Sequence, residues 1–315
     1  SPRLCKVVKA KDASNIPRGQ FKIVISENNY IRKLSIDDKA SAVKGDIPKH
    51  ILIADNQESI LLFDDKGKVF KLPVHKIPLT EKGTNGCDIR MIIKGLTANI
   101  AAVLYEPTVK KVSEIKGAKH FITVVTEGNY IKKLDIDDFL NVPLSGIIYT
   151  KLVSSNDRVV DIQITPDNLD LIIYSGHKAL RVPMSEVPNY KRASQGVLAM
   201  NTKESIGGIS VVYPNATHII VVTASGRVNK FSISGLDKSV RNKGGSSVIK
   251  LGKTDKILSI HGVNDDNVIS VITRAGREVY KVKDFDTLSS VSSGVKLASS
   301  KGDNMIIKVE VGLDQ

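Results

Sequence analysis

The sequence contains no tryptophan, and aromatic residues make up only 5% of the chain. The absence of tryptophan argues against the WD-repeat type of propeller, whose blades carry a recurring Trp-Asp pair. Cysteine is nearly absent as well. The two cysteines, Cys5 and Cys87, form no CxxC pair, so neither a zinc site nor a disulfide framework is indicated, and we expect a reducing compartment.

Long hydrophobic runs are also missing. No stretch approaches the roughly 18 apolar residues that a membrane span needs. The first six residues have no apolar core of the kind found in signal peptides. The sequence therefore predicts a soluble, cytoplasmic protein with no membrane partner.

Negative charge is scarce relative to positive charge. Lysine and arginine number 46, against 33 aspartate and glutamate residues, which gives a formal net charge of +13 at pH 7. An excess of this size indicates a polyanionic partner, with nucleic acid ahead of a membrane surface. The hydrophobic content of 41% is sufficient for a buried core.

The sequence does contain one pattern in six copies. An apolar, β-branched run is followed by a polar or glycine turn, and then by a strand that reads apolar, any residue, basic, apolar. The copies of this second strand lie at 31–34, 69–72, 131–134, 179–182, 228–231 and 279–282. They recur about every 50 residues, the length of one four-stranded blade. We therefore predict an all-β, six-bladed, propeller-like fold, a β-pinwheel that forms a single domain over residues 1–315. Its hairpins are expected near 21–36, 60–74, 121–136, 171–184, 219–233 and 268–282.

Two intervals depart from this period. The first, from Lys33 to Lys71, is the shortest and predicts a trimmed loop near 40–48. The second, from Lys71 to Lys133, is the longest and predicts an insertion at 94–119 without a regular pattern. We expect that insertion to be a mobile loop.

Glycine-bearing segments lie between the hairpins, at 81–86, 143–148, 191–197, 241–245 and 292–295. Two interpretations stay open. In the first, backbone N–H groups and neighbouring cations bind phosphate oxygens, as in an anion nest. In the second, the segments are crossings between blades that need a positive φ, which glycine adopts readily.

Taken together, these stretches resemble a known family, the C-terminal β-pinwheel domain of the A subunit of the bacterial type IIA topoisomerases DNA gyrase and topoisomerase IV. The matching stretches are DDKGKVFKL at 64–72 with Ile77-Pro78, TEGNYIKK at 126–133, SGII at 145–148, and SEVP at 185–188 before RASQGV at 192–197. No single stretch is specific, but the six units follow the family's order over most of the chain. The resemblance implies a disc whose basic rim bends a DNA duplex and presents it to the catalytic core of the same polypeptide.

The resemblance also implies that this domain is not itself an enzyme, because the family's DNA-cleaving tyrosine and metal-binding carboxylates belong to other domains. It would be part of an ATP-dependent type II DNA topoisomerase. Its partners would be double-stranded DNA, the remainder of the A subunit, and through it the ATPase B subunit. We expect no cofactor, no metal and no catalytic residue in this domain, and a monomer when it is isolated.

One element of the family is missing. DNA gyrase carries the box Gln-Arg-Arg-Gly-Gly-Lys-Gly after its first hairpin, whereas the equivalent stretch here, 38–46, keeps only Lys44-Gly45. The stretch most similar to this box lies at 240–245, in the fifth unit. Gyrase-like supercoiling and topoisomerase IV-like relaxation or decatenation therefore both stay open.

The predicted DNA contacts are basic residues on the repeated second strands, in the turns and in the glycine segments. The pattern contains no recognition helix for the major groove, so we expect sequence-tolerant contacts with phosphates. The predicted DNA-binding residues are Arg32, Lys33, Lys66, Lys68, Lys71, Lys82, Lys132, Lys133, Lys178, Arg181, Lys191, Arg192, Arg227, Lys230, Arg241, Lys243, Arg274, Arg277 and Lys281.

Two other classes of function were weighed against DNA binding. The first alternative is a β-propeller scaffold whose positive charge binds an acidic protein partner. The second, a stand-alone hydrolase, is disfavoured because no nucleophile, base and orienting residue stand out. The paired carboxylates Asp37-Asp38 and Asp137-Asp138 fall at the same place in two repeats, which favours turn formation over catalysis.

Overall fold

The computed structural model describes residues 16–41, 43, 45–273, 276–297 and 306–314. Three residues singled out from the sequence, Cys5, Lys44 and Arg274, lie outside this described part. The strands are β1 (Gln20–Ser26), β2 (Tyr30–Leu34), β3 (Pro48–Asp55), β4 (Ser59–Asp64), β5 (Lys68–Pro73), β6 (Cys87–Asp88), β7 (Ile100–Tyr105), β8 (His120–Thr126), β9 (Tyr130–Asp135), β10 (Ile147–Ile148), β11 (Val159–Pro166), β12 (Asp170–Ser175), β13 (Lys178–Pro183), β14 (Val197–Leu198), β15 (Ile206–Val212), β16 (His218–Thr223), β17 (Arg227–Ser232), β18 (Ser246–Ser247), β19 (Ile257–Val263), β20 (Asn267–Thr273), β21 (Gly276–Lys281), β22 (Val295–Lys296) and β23 (Ile306–Leu313).

Helices are few and short. The α-helices are α1 (Ile89–Ile92) and α2 (Glu106–Ser113), and 3-10 helices follow five of the hairpins at Val74–Lys76, Ile136–Phe139, Met184–Glu186, Ile233–Gly235 and Val282–Asp284. Within the described residues, no helix has the length and apolar character that crossing a membrane requires.

Five of the sheets have four antiparallel strands in one shared order: an inner strand, the two hairpin strands and a two-residue outer strand. These orders are β3-β1-β2-β6, β7-β4-β5-β10, β11-β8-β9-β14, β15-β12-β13-β18 and β19-β16-β17-β22. Each outer strand comes from the segment that follows the next hairpin along the chain, so neighbouring blades are interlocked. The inner strands contact one another in a closed cycle, since β23 of the last blade contacts β3 of the first. The predicted all-β, six-bladed fold is confirmed.

The sixth blade differs from the other five. Its described strands are ordered β21-β20-β23, and no described residue pairs with the outer edge of β21. In the other blades the outer strand comes from the segment that follows the next hairpin, and for the sixth blade that segment is 35–47. This segment includes most of the trimmed loop, and among its described residues the one bridge joins Val43 to Asp46. Val279 on β21 is accordingly 55% exposed, whereas its counterpart Val228 in the fifth blade is 1% exposed.

The core lies between adjacent blades, which explains the continuous apolar runs in the first hairpin strands. On β4, Ile60 and Leu62 pack toward the first blade, while Leu61 and Phe63 pack toward the third. Successive side chains on a strand point to opposite faces, so a strand buried on both faces needs apolar residues at every position.

Hairpin geometry is fixed by one polar side chain in the first strand. Ser26 and Thr126 end their strands, and their hydroxyls accept hydrogen bonds from the backbone N–H of Tyr30 and Tyr130 across the turns, at 3.1 and 3.2 Å. In each of these turns the residue before the tyrosine is an asparagine with φ between 60° and 80°. The expected positive φ is therefore present, and asparagine tolerates it better than most residues.

The prediction of a mobile loop over 94–119 is wrong. This segment contains β7, the inner strand of the second blade, and α2. The helix is anchored by the fully buried Val109 and by the buried carboxylate of Glu106, which binds Lys71 at 2.8 Å. Sequence periodicity missed the helix because it is only two turns long.

Candidate nucleic-acid interface

Each of the six basic residues of the repeated second strand has a hydrogen-bond or ion-pair partner within the protein, although Lys281 is also exposed. Lys33 donates to the Asn56 side chain and, at 3.3 Å, to the carbonyl of Val74. Lys133 donates to the carbonyl of Met184 at 3.0 Å. Both ammonium groups also lie 4.6 Å from the centre of a phenylalanine ring on the first strand of their own hairpin, which adds a cation–π contact.

Lys230 repeats this arrangement, because its ammonium donates to the carbonyl of Val282 at 3.1 Å and pairs with Asp265 at 3.0 Å. Val74, Met184 and Val282 occupy one structural position, the first residue of the 3-10 helix that follows the next hairpin. Three of the six cations therefore fasten a blade to its neighbour.

The other three motif cations bind carboxylates: Lys71 with Glu106 at 2.8 Å, Arg181 with Asp170 at 2.8 Å, and Lys281 with Asp314 at 2.9 Å. The recurrence of a basic residue at this position is thus explained by internal hydrogen bonds and ion pairs. DNA contact by these six side chains stays a prediction, and the buried ones, Lys33, Lys133 and Lys230, would have to give up their partners to make it.

In two of the six copies, the residue before the motif cation is basic as well, and it too is buried. Arg32 donates to the carbonyl of Ser41 at 2.7 Å. Lys132, which is 1% exposed, donates to three carbonyl groups of the glycine segment 191–196. Burial lowers the pKa of Lys132 to about 8.

The glycine of each segment marks a crossing between blades. A Cβ atom on Gly86 would lie 2.2 Å from the carbonyl oxygen of Ile31, and one on Gly245 would lie 2.4 Å from that of Ala179. Both glycines have φ near +75° and stand immediately before an outer strand. The structure supports the crossing interpretation for the glycine itself, because only a residue without a side chain allows the outer strand to approach so closely.

Consecutive crossings are joined by backbone hydrogen bonds into a band around part of the perimeter. We call this band, residues 143–151, 191–201, 241–250 and 289–296, the rim belt. The joining bonds are Lys151 N–H to Ser194 carbonyl at 3.1 Å, Asn201 N–H to Lys243 carbonyl at 3.0 Å, and Lys250 N–H to Ser292 carbonyl at 2.9 Å. The belt covers four consecutive crossings, and its backbone is fixed from one blade to the next.

Exposed lysines lie on this belt, at the start of the hairpin strands β5 and β13 that pair with its outer strands, and in the first crossing. Eight of them make no side-chain hydrogen bond or ion pair in the described part of the chain: Lys68, Lys82, Lys151, Lys178, Lys191, Lys243, Lys250 and Lys296. Sequence reasoning named five and missed Lys151, Lys250 and Lys296. Lys151 and Lys250 each lie five residues after a crossing glycine. A search of the sequence for a lysine at that spacing would have included both.

The remaining predicted cations also reach internal oxygen atoms. The contacts are Lys66 with the Asp157 carbonyl at 2.6 Å, Arg192 with the Ile148 carbonyl at 3.2 Å, Arg227 with the Ser293 carbonyl at 3.4 Å, Arg241 with the Leu198 carbonyl at 2.5 Å, and Arg277 with the Ser270 hydroxyl at 2.7 Å. Arg192 and Arg241 occupy equivalent places and bind the second residue of the preceding outer strand. Each guanidinium keeps further N–H donors for a second partner.

The centre of the ring offers a different environment. A cavity of about 930 Å³ opens there, lined by side chains of both signs, among them Lys49, Glu127, Arg158 and Asp255. Arg158 and Glu127 are already paired at 2.7 Å. Among the described residues, no group of three or more His, Cys, Asp or Glu side chains is arranged to hold a metal ion. The rim belt, in contrast, contains lysine and arginine but no aspartate or glutamate.

The class of protein follows from this geometry. A ring of blades in which the outer strands are supplied by the next repeat is a β-pinwheel, and in this one the rim belt carries lysine and arginine but no aspartate or glutamate.

Comparison with known proteins identifies the family that this chain resembles. A family model described as "DNA gyrase C-terminal domain, beta-propeller" matches residues 58–86, 178–210 and 217–264. The A subunit of DNA gyrase from Staphylococcus aureus strain MRSA252 is 22% identical over 319 residues, which covers 95% of this chain but 35% of that protein. The chain thus spans about a third of the length of the curated relatives it matches.

Two solved structures have the same fold. The C-terminal domain of DNA topoisomerase IV aligns with a TM-score of 0.69 at 21% identity and covers 94% of both chains. The DNA gyrase A C-terminal domain aligns with a TM-score of 0.72 at 15% identity, covering 92% of this chain and 99% of that one. The resemblance to the C-terminal β-pinwheel of type IIA topoisomerase A subunits is confirmed over nearly the whole chain.

Proposed function

We propose that this chain is a non-catalytic DNA-binding domain of a type IIA topoisomerase, which bends a duplex along its rim and presents it for strand passage. The observation that carries the proposal is the rim belt, where exposed lysines without internal partners sit on a backbone that is hydrogen-bonded from crossing to crossing. Such lysines contact phosphates without reading bases, so binding is sequence-tolerant.

The rigidity of the belt matters for bending. Smooth bending of 20–30 base pairs through 40–90° costs roughly 1–6 kcal/mol, which several phosphate contacts must offset. Contacts on a fixed curved surface hold the duplex in its bent form, whereas the same lysines on mobile loops would follow a straight one. The proposed partners for strand passage are the catalytic part of the same polypeptide and the ATPase B subunit.

The test compares two double variants with the same change in charge. Lys243→Ala with Lys250→Ala removes two cations from the rim belt, and Lys111→Ala with Lys116→Ala removes two exposed lysines from α2 and the residues after it. Affinity for a fluorescent mixed-sequence duplex is measured over a range of salt concentrations. We expect the belt variant to bind about tenfold more weakly and to lose about 2 from the slope of log K against log salt, because each phosphate contact contributes about 0.9.

A nicked circular plasmid, sealed by ligase in the presence of each protein, reports bending. The original chain should shift the linking-number distribution, and the belt variant should shift it less than the α2 variant does. An affinity that does not change with salt would contradict the proposal. So would salt-dependent binding without any topological shift, which is expected if the charge serves an acidic protein instead.

A further inference from the structure

Lys132 lies on β9, inside the third blade, with 1% of its surface exposed. Its ammonium donates to the carbonyl oxygens of Lys191 at 3.2 Å, Arg192 at 3.0 Å and Ser194 at 2.7 Å. An ammonium has three N–H donors, and all three are used on one short stretch of backbone. Three carbonyl dipoles therefore converge on one buried cation.

The stretch whose carbonyl groups accept hydrogen bonds from Lys132 belongs to the rim belt. It carries the exposed Lys191, and Arg192, which is held at the Ile148 carbonyl. It also supplies the Ser194 carbonyl that accepts the N–H of Lys151 from the preceding crossing. The backbone conformation of this crossing thus sets the direction of the Lys191 and Arg192 side chains. It also sets the hydrogen bond that joins this crossing to the preceding one.

Building on the proposed function, we propose that Lys132 is a positioning residue for phosphate binding, which holds the crossing 191–194 so that Lys191 and Arg192 face the DNA backbone. Lys132 does not touch DNA itself. Its aliphatic stem fills the blade interior, and its ammonium group donates all of its hydrogen bonds to carbonyl oxygens.

The charged groups around this site do not offer an alternative partner. Lys133, the next residue, faces the other side of the strand and binds the Met184 carbonyl. Arg192 approaches the Asp138 carboxylate at 3.8 Å. Burial alone lowers the pKa of Lys132 to about 8, with no ionised side chain contributing. The neutral amine, which forms as the pH passes that value, has two donors for three carbonyls, so the crossing should loosen in alkaline solution.

The fifth blade supplies a matched control. Asn229 stands at the position of Lys132 and donates to the carbonyls of Val248 at 3.0 Å and Ser289 at 3.1 Å. The crossing it holds, 289–293, contains no lysine or arginine. Loosening that crossing releases only the Ser293 carbonyl that holds Arg227 and the Ser292 carbonyl that holds the Lys250 backbone, so it should disturb phosphate binding less than loosening the crossing 191–194.

The experiment measures duplex binding by Lys132→Met, Lys132→Arg and Asn229→Leu, each with and without Lys191→Ala and Arg192→Ala. We expect Lys132→Met to bind about tenfold more weakly, equivalent to about 1.4 kcal/mol, and to flatten the salt slope by about 1–2. Lys132→Arg should restore most of the affinity, and Asn229→Leu should lower it less than Lys132→Met does. In the chain that lacks Lys191 and Arg192, Lys132→Met should have no further effect.

A pH series gives a second readout that a merely structural role would not move. Between about pH 7 and pH 9 the original chain should lose affinity, while Lys132→Arg should not, because arginine stays protonated. If the original chain binds and Lys132→Met matches it, or if the loss persists without Lys191 and Arg192, the positioning role is overturned. If the original chain does not bind duplex DNA at all, the proposed function fails and this proposal fails with it.

Discussion

Asp161 illustrates how burial controls a single side chain. It lies on β11, where its carboxylate accepts backbone hydrogen bonds from Ile209 at 3.0 Å and Ile162 at 2.8 Å. Desolvation outweighs these bonds and raises the pKa of Asp161 to about 6. The ionised form is therefore less favourable in the folded chain than in the unfolded chain.

The consequence is a defined pH dependence. Below about pH 4 Asp161 is protonated in both states, and above about pH 6 it is ionised in both, so its contribution to stability falls as the pH rises through that window. Asp161→Asn should remove the effect. The variant should gain up to about 2 kcal/mol of unfolding free energy relative to the original chain at pH 7, and much less at pH 4. Urea titrations at the two pH values measure this, and an equal difference at both would contradict it.

The crossing segments interlock the blades. Their glycines share a positive φ but differ in how closely a neighbouring strand approaches them. Gly245 and Gly83 both have φ between 70° and 80°, but a Cβ on Gly245 meets the Ala179 carbonyl, whereas one on Gly83 meets nothing within 4 Å. The shared backbone conformation costs an alanine roughly 1–2 kcal/mol. Only Gly245 adds a collision with a neighbouring strand.

Gly245→Ala should therefore destabilise the fold by more than about 3 kcal/mol, while Gly83→Ala should cost about 1 kcal/mol. Thermal unfolding followed by circular dichroism at 218 nm, roughly the strand minimum, compares the two variants with the original chain. Equal losses would show that the positive φ alone, and not the close approach of the outer strand, requires glycine at the crossing.

At the scale of the whole molecule, the ring is asymmetric. Five second strands are covered by an outer strand, and among the described residues β21 is not. Lys308 of the last strand donates to the Ile51 carbonyl at 3.2 Å, so closure between the sixth and first blades runs through the inner strands. In the described part of the chain, the inner ring is continuous between these two blades and the outer rim is not.

This asymmetry predicts unequal effects of one substitution at two equivalent sites. Val228→Thr buries a hydroxyl without an available partner and should cost about 1–3 kcal/mol. Val279→Thr, at an exposed edge, should change stability by less than about 0.5 kcal/mol. Equilibrium unfolding in guanidinium measures both. A large loss at Val279 would mean that something covers β21 in solution.

The six-fold hairpin repeat, the turn glycines and asparagines, and the net charge could all be read from the sequence. They depend on local rules: strand propensity, positive φ in tight turns and the count of ionised groups. Those rules were sufficient for the all-β ring and for the family resemblance. They also named five of the eight exposed lysines on and around the rim belt that have no internal partner.

Only the tertiary structure decided what the repeated basic residue does. Lys33, Lys133 and Lys230 bind carbonyls at the 3-10 helix of the next repeat, about 40–50 residues away. No local pattern encodes that distance. The same holds for the uncovered edge of β21 among the described residues, because strand exchange joins segments from different repeats. A cation's exposure depends on what folds over it, so the sequence determined how much positive charge there is, and the packing of blades decided which part of it is exposed.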